Sequence, residues 1–241
     1  MELGGASAVP APRPLSEQAA ASIRHPLSLT LLALTFSTGT VDAVSYLGLG
    51  HVFTANMTGN VVLLGFGIAK AGGLPIVAPI VSLAAFMVGS GAGGAVARRL
   101  AHRHPTHLGY ALGLETALLA CAAILAAAAN PHPSTFAGDA TIALMAAAMG
   151  IRNATVRRLA VPDLTTTVLT MTITALAAES TVAGGSGKGS VRRTSAIVAM
   201  LAGAVAGAVM LRTGPTLPLA FAAALALATC VGYLFVQRRG S

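Results

Sequence analysis

Eight long apolar runs, separated by short connections rich in Gly, Pro, His or Arg, dominate this sequence. Each run has 19 to 23 residues, and about 20 apolar residues are enough for a helix to cross the hydrocarbon core of a bilayer. Only 9% of the 241 residues are charged, against roughly 25% in an ordinary soluble domain. The sequence therefore predicts an all-α integral membrane protein. The runs are residues 27–49, 53–71, 75–97, 108–129, 137–155, 164–182, 194–212 and 216–236.

The runs differ in character, so the sequence predicts a polytopic transmembrane bundle of six to eight membrane segments. The third, fourth, seventh and eighth runs are plainly apolar, whereas the second, fifth and sixth are short or contain Thr and Asn. Non-helical backbone can lie at membrane depth where protein or water covers it. Some of the polar runs are therefore predicted to be broken or partly re-entrant helices.

The runs form one membrane domain, residues 27–236, between two polar ends. Residues 1–26 are rich in Ala, Pro and Ser and lack an apolar core followed by a cleavage site. They predict a disordered tail and no cleaved signal peptide. Residues 237–241 are expected to form a short basic tail.

Positive charge lies in small clusters between the apolar runs, and the net charge is +8. In a membrane protein such clusters meet lipid phosphates, so membrane lipids are the expected partners and nucleic acid is not. With eight crossings, eight Lys and Arg residues fall on the side of both termini and seven on the other, which gives no orientation. Cys121 and Cys230 lie in apolar runs without ligand-spaced His or carboxylates, so no metal, cofactor or disulfide is expected.

The two halves of the domain resemble each other, which predicts an internal repeat of about 27–129 and 137–236. Gly39–Ala43 aligns with Gly150–Ala154 at an offset of 111, and Thr54–Thr58 aligns with Thr166–Thr170 at 112. Duplicated halves are the usual construction of secondary transporters, with the site at the repeat interface. If four segments of each half cross the membrane the halves are parallel, and if one is re-entrant they are inverted.

Glycines four residues apart occur at matching positions of the third and seventh runs, at an offset of 114. This spacing lets helix backbones approach closely, so these glycines are predicted helix-packing positions. The same faces serve packing within one chain or in a homo-oligomer equally well. The four residues are Gly89, Gly93, Gly203 and Gly207.

The stretches Thr38–Ala43 and Val52–Asn60, with the string Ala-Asn-Met-Thr-Gly-Asn, resemble the signature of the YoaK-like bacterial membrane proteins, the family labelled domain of unknown function 1275. Met149–Ala154 resembles the family's second signature, with Arg152 where Gln is common. The resemblance covers about residues 27–236. It implies a multi-pass protein of the bacterial inner membrane, and no substrate, because the family has no established activity.

Asp42 is the sharpest candidate for a functional side chain in the first half. A carboxylate inside a membrane helix costs about 2.5–3.5 kcal/mol on insertion scales and needs a partner, a proton or water. One interpretation is a proton or cation site. The other is a carboxylate near the helix end that binds backbone donors or Arg152.

Amides and hydroxyls in both halves complete the predicted substrate-binding set. They would line a site between the repeats, or they would only hydrogen-bond neighbouring helices. Glu115, inside the fourth run, is either a proton carrier or an interfacial residue. The set comprises Asn56, Thr58 and Asn60 from the first half and Asn153, Thr166 and Thr170 from the second.

These features together predict a small-solute transporter or permease-like protein in the inner membrane. No triad, zinc-binding or nucleotide-binding motif is present in the sequence, so we expect no enzyme. The alternative is a membrane scaffold or accessory subunit that transports nothing. Its polar residues would only tie helices together.

Overall fold

The computed structural model describes residues 26–99, 104–159 and 169–240, and these residues form α-helices joined by short turns and loops, with no strand among them. The all-α prediction is confirmed. The predicted tail 1–26 lies almost wholly outside the described residues, and the last helix includes most of the predicted basic tail. The helices are α1 (Pro26–Gly48), α2 (Met57–Ile68), α3 (Val77–Arg99), α4 (His104–Ala129), α5 (Phe136–Leu159), α6 (Leu169–Ala178), α7 (Ser190–Met210) and α8 (Thr216–Gly240).

Helices α1 and α5 form the centre of the bundle. α1 packs against α7 and α8, α5 packs against α3 and α4, and α4 packs against α8. The outer helices α3, α4, α7 and α8 each contain a stretch long and apolar enough to cross a membrane. The central pair carries buried polar side chains such as Thr35, Asp42, Thr141 and Arg152. The outer helices cover these polar groups, so lipid does not meet them.

Glycine lets the central and outer helices touch through their backbones. A Cβ on Gly39 would lie 2.7 Å from the backbone nitrogen of Ala204, and one on Gly150 would lie 2.8 Å from that of Ser90. A Cβ on Gly89 would overlap the carbonyl oxygen of Ala147. The predicted packing glycines therefore lie at α1–α7 and α3–α5 contacts.

The same contacts occur twice, at the spacing of the predicted repeat. Gly207 packs on Thr40 and Ala43 of α1, while Gly93 packs on Ile151 and Ala154 of α5. These partners differ by 111 residues and the glycines by 114. Helices α2 and α6 also correspond, because each packs on the helix that follows it.

Contacts in three helix pairs give the relative directions of the helices. Gly39 lies beside Gly203 and Gly48 beside Leu211, so α1 and α7 are parallel. Gly89 lies beside Ala147 and Gly93 beside Ile151, so α3 and α5 are also parallel. The Sγ of Cys230 lies 3.6 Å from the carbonyl oxygen of Gly109, so the end of α8 meets the start of α4 and these two helices are antiparallel.

The contacts of Gly50 relate the directions of these three helix pairs to one another. A Cβ there would contact Ala78 and Pro133, which places the end of α1, the start of α3 and the connection after α4 at one end of the bundle. Helices α1, α4 and α7 therefore run in one direction, and α3, α5 and α8 run in the other.

Candidate functional site

Between α1 and α3 the chain turns back into the bundle. Val52, Thr54 and Ala55 are buried, and the start of α2 faces the same cavity as Phe86 and Ser90 in the middle of α3. At its other end, Gly67 of α2 packs on the carbonyl oxygen of Pro75, close to the start of α3. Residues 52–68 therefore enter the bundle about halfway and return to the end from which they came.

Asp42 holds the tip of this segment. Its Oδ1 accepts hydrogen bonds from the backbone nitrogens of Thr54 and Ala55, both at 3.0 Å, and from the Thr54 hydroxyl at 3.4 Å. The side chain is buried. Hydrogen bonds to an ionised carboxylate are stronger than neutral ones, so Asp42 stabilises non-helical backbone inside the bundle. Of the two interpretations from the sequence, the contacts match the one in which Asp42 binds backbone donors.

Asn60, near the start of α2, binds Phe53 within the same segment and also binds Ser82 of α3. Its Oδ1 accepts from the Phe53 nitrogen at 2.8 Å, and its Nδ2 donates to the Phe53 carbonyl at 2.6 Å and to Ser82 Oγ at 3.1 Å. The Ser82 hydroxyl donates to the same carbonyl at 2.7 Å. Asn60 is fully buried, and these bonds fasten the segment to α3.

A cavity of about 570 Å³ lies at the start of α2. The structure brings three of the sequence-predicted residues together there, namely Asn56, Thr58 and Asn153. Asp42 and Asn60 are buried and are not in its described lining, Thr170 is exposed on α6, and Thr166 is outside the described residues. The described lining is Ala55, Asn56, Met57, Thr58, Phe86, Ser90, Asn153, Ala154, Val156 and Arg157.

Sequence reasoning missed Phe86, Ser90 and Arg157 as lining residues. Phe86 and Ser90 lie in a plainly apolar run, and Arg157 belongs to a pair of arginines typical of a membrane interface. The repeat contained a usable signal for Ser90, because its counterpart at an offset of 114 is Ala204. A hydroxyl present in only one half indicates a role that the other half does not share.

A second cavity, of about 420 Å³, lies on the other side of the segment. Its lining includes Tyr46, His51 and Asp139, at the end of the bundle where α1 finishes. The Tyr46 ring stacks on Phe53 with centroids 4.9 Å apart and meets His51 edge-on. His51 lines this cavity and Ala55 lines the first one, so the residues between them connect the two linings.

Arg152 and Glu115 form a fully buried ion pair between α5 and α4. Arg152 donates from Nε to Glu115 Oε1 at 3.0 Å and from Nη1 to the Leu34 carbonyl at 2.8 Å and Thr38 Oγ1 at 2.9 Å. Its Nη2 donates to Glu115 and to Ser37 Oγ. The pair thus connects three helices. Glu115 is not interfacial, and the sequence did not foresee its partner.

These features define a helical membrane protein: polar central helices, apolar outer helices of membrane-spanning length and a segment that turns back inside the bundle. Among the described residues no group of His, Cys, Asp and Glu is arranged to hold a metal ion.

The chain belongs to a family of proteins of unknown function, DUF1275, whose family model matches residues 30–232. It is 36% identical over 161 residues, 65% of this chain and 67% of the relative, to the UPF0700 transmembrane protein YoaK of Bacillus subtilis (strain 168). No solved structure matches it significantly. The resemblance inferred from the two signatures and the membrane class are therefore confirmed.

Proposed function

We propose that this protein is a transporter or permease for a small solute, without catalytic activity, in the inner membrane. The observation that carries the proposal is the cavity at the start of α2. Side chains from both halves of the chain, Asn56 and Thr58 from one and Asn153 from the other, line it. Broken or discontinuous segments at the interface of two repeats are the usual solute sites of secondary transporters.

The helix directions support six membrane crossings, by α1, α3, α4, α5, α7 and α8. With α2 and α6 as re-entrant helices, successive crossings alternate in direction, as the contacts of Gly39, Gly50, Gly89 and Cys230 require. Eight crossings would make α4 and α8 parallel. Three crossings in each half make the two repeats inverted, an arrangement in which one half can rock against the other around a shared site.

Charge supports the same topology and adds an orientation. Arg152 is buried inside the bundle and is left out of the count. With six crossings, twelve of the other fourteen Lys and Arg residues fall on the side of the termini and two, Lys70 and Arg212, on the other. The positive-inside rule then places both termini in the cytoplasm. The twelve are Arg13, Arg24, Arg98, Arg99, Arg103, Arg157, Arg158, Lys188, Arg192, Arg193, Arg238 and Arg239.

Single cysteines introduced after Cys121→Ala and Cys230→Ala test this topology. We expect a membrane-impermeant maleimide added to intact cells to label Ser134→Cys, because six crossings place the α4–α5 connection outside. Thr213→Cys is the positive control, because it lies on the side opposite the termini with either six or eight crossings. Ser186→Cys is the negative control, because it lies on the side of the termini with either number. All three positions are exposed. Labelling of Ser134→Cys only after the cells are opened would contradict six crossings.

The transport proposal is tested by melting purified protein in detergent with a broad panel of metabolites and ions. A solute at 100 times its dissociation constant adds about 2.7 kcal/mol to the native state. We expect at least one solute to raise the Tm of the wild type and to do so less for Thr58→Val, which removes a hydroxyl from the cavity lining.

The matched control is Thr174→Val, because Thr174 is exposed on α6 and does not line the cavity. It should respond to the solute as the wild type does. If no solute stabilises the wild type, and the Asp42→Asn variant has a lower Tm than the wild type without any solute, the scaffold alternative replaces the transporter.

A further inference from the structure

The cavity at the start of α2 has a positive charge in its described lining and no negative one. Arg157, an exposed residue near the end of α5, supplies that charge. Asn56, Thr58 and Asn153 add amide and hydroxyl donors. A guanidinium pairs with the oxygens of a carboxylate in a planar, often two-pronged contact.

Two buried carboxylates, Asp42 and Glu115, are not part of the described lining of this cavity. Asp42 accepts hydrogen bonds from the backbone nitrogens of Thr54 and Ala55, and Glu115 is paired with Arg152. At position 153, the counterpart of Asp42 in the predicted repeat, the cavity has a neutral amide. The lining therefore favours an anionic group over a cationic one.

Apart from Ser90, the rest of the described lining is apolar and includes Met57, Phe86 and Val156. The volume of about 570 Å³ falls within the roughly 300–1,000 Å³ of small-molecule sites. A ligand with one anionic end and a short apolar body matches this division between Arg157 and the apolar wall.

We infer that the cavity binds a small organic anion, with its carboxylate at Arg157 and its apolar body against Phe86 and Met57. This inference rests on the proposed function, because it names the solute class of the same site. The charge distribution in the six-crossing topology supports it further. The cytoplasmic side carries most of the positive residues, and a field of one sign raises the local concentration of ions of the opposite sign.

The test uses matched solutes that differ in charge, added to the purified full-length protein. They are benzoate, benzamide and benzylammonium, and butyrate, butyramide and butylammonium. Melting temperatures are measured over a millimolar concentration series for the wild type, Arg157→Gln and Arg158→Gln. Arg158 is the matched control, since it is the neighbouring exposed arginine and does not line the cavity.

We expect a carboxylate of at least one series to raise the Tm of the wild type and of Arg158→Gln. Its apparent affinity should fall about tenfold or more in Arg157→Gln, as for the loss of one charge-assisted contact. The matched amide and ammonium should bind the wild type more weakly by a similar factor.

Three results would overturn the inference. If the amide or the ammonium binds as tightly as the carboxylate, the site does not select an anion. If Arg157→Gln binds the carboxylate as tightly as the wild type, Arg157 does not hold it. In either case, a solute from the broad panel whose binding depends on Thr58 would still support the transport proposal. If neither the panel nor the matched series yields a ligand, the anion and the transport proposal both fail.

Discussion

Replacing Glu115 by Leu should destabilise the folded protein by about 3–5 kcal/mol, the cost of leaving one partner of a buried ion pair alone. Arg152 is 1% exposed, so its charge would remain in the bundle without a carboxylate. Its bonds to Leu34, Ser37 and Thr38 compensate only in part, because all three acceptors are neutral. The measurement is the unfolding free energy in mixed detergent micelles.

The double variant Glu115→Leu, Arg152→Met separates the charge from the packing. Removing both partners together is often neutral when apolar residues of similar volume replace them, so we expect it to be more stable than Glu115→Leu. Glu179→Leu is the comparison, because Glu179 is 55% exposed while its partner Arg193 is 7% exposed. Solvent already reaches the carboxylate of this pair, so we expect a smaller loss than for Glu115→Leu. Equal losses for Glu115→Leu and Glu179→Leu would show that Arg152 does not need its buried partner.

The sequence predicts the outer helices well, because their apolar runs have clear ends. The runs 75–97 and 216–236 correspond to α3 and α8 within a few residues. The second run is one of three among which the sequence predicts broken or partly re-entrant helices, and α2 begins at Met57, four residues into it. The polar residues before Met57 carry that signal, since non-helical backbone occurs at membrane depth only where protein or water covers it.

The candidate site could be predicted only in part. The sequence marks Asp42, Asn56 and Asn153 as polar groups that need partners, but the choice of partner depends on tertiary packing. Asp42 binds backbone nitrogens that become available only because residues 52–56 fold back. The Glu115–Arg152 pair joins residues 37 positions apart, and no spacing rule along a single helix relates them.

The predicted repeat carries information that single motifs lack, because it identifies positions where the halves differ. Arg152 corresponds to Val41, and Asp42 corresponds to Asn153. Each half therefore has a buried charged residue whose counterpart in the other half is uncharged.

Gly89→Val should prevent the normal packing of α3 on α5. A Cβ at Gly89 would overlap the carbonyl oxygen of Ala147 and lie 2.8 Å from its Cα, and backbone cannot move aside as a flexible side chain does. Overpacking of this kind costs about 1–3 kcal/mol and occasionally more, and we expect the upper end or beyond. The measurements are the yield of monodisperse protein after detergent extraction and the Tm of that protein.

Gly91→Val is the matched control, two residues further along α3. A Cβ on Gly91 has no neighbour within 4 Å among the described residues, so the same substitution there should extract and melt like the wild type. Gly203→Val should reproduce the defect of Gly89→Val, because a Cβ on Gly203 would overlap the carbonyl oxygen of Phe36 in the matching α1–α7 contact. Equal behaviour of Gly89→Val and Gly91→Val would contradict the backbone contact between α3 and α5. A defect in Gly89→Val but not in Gly203→Val would show that the two helix pairs are not equivalent in packing.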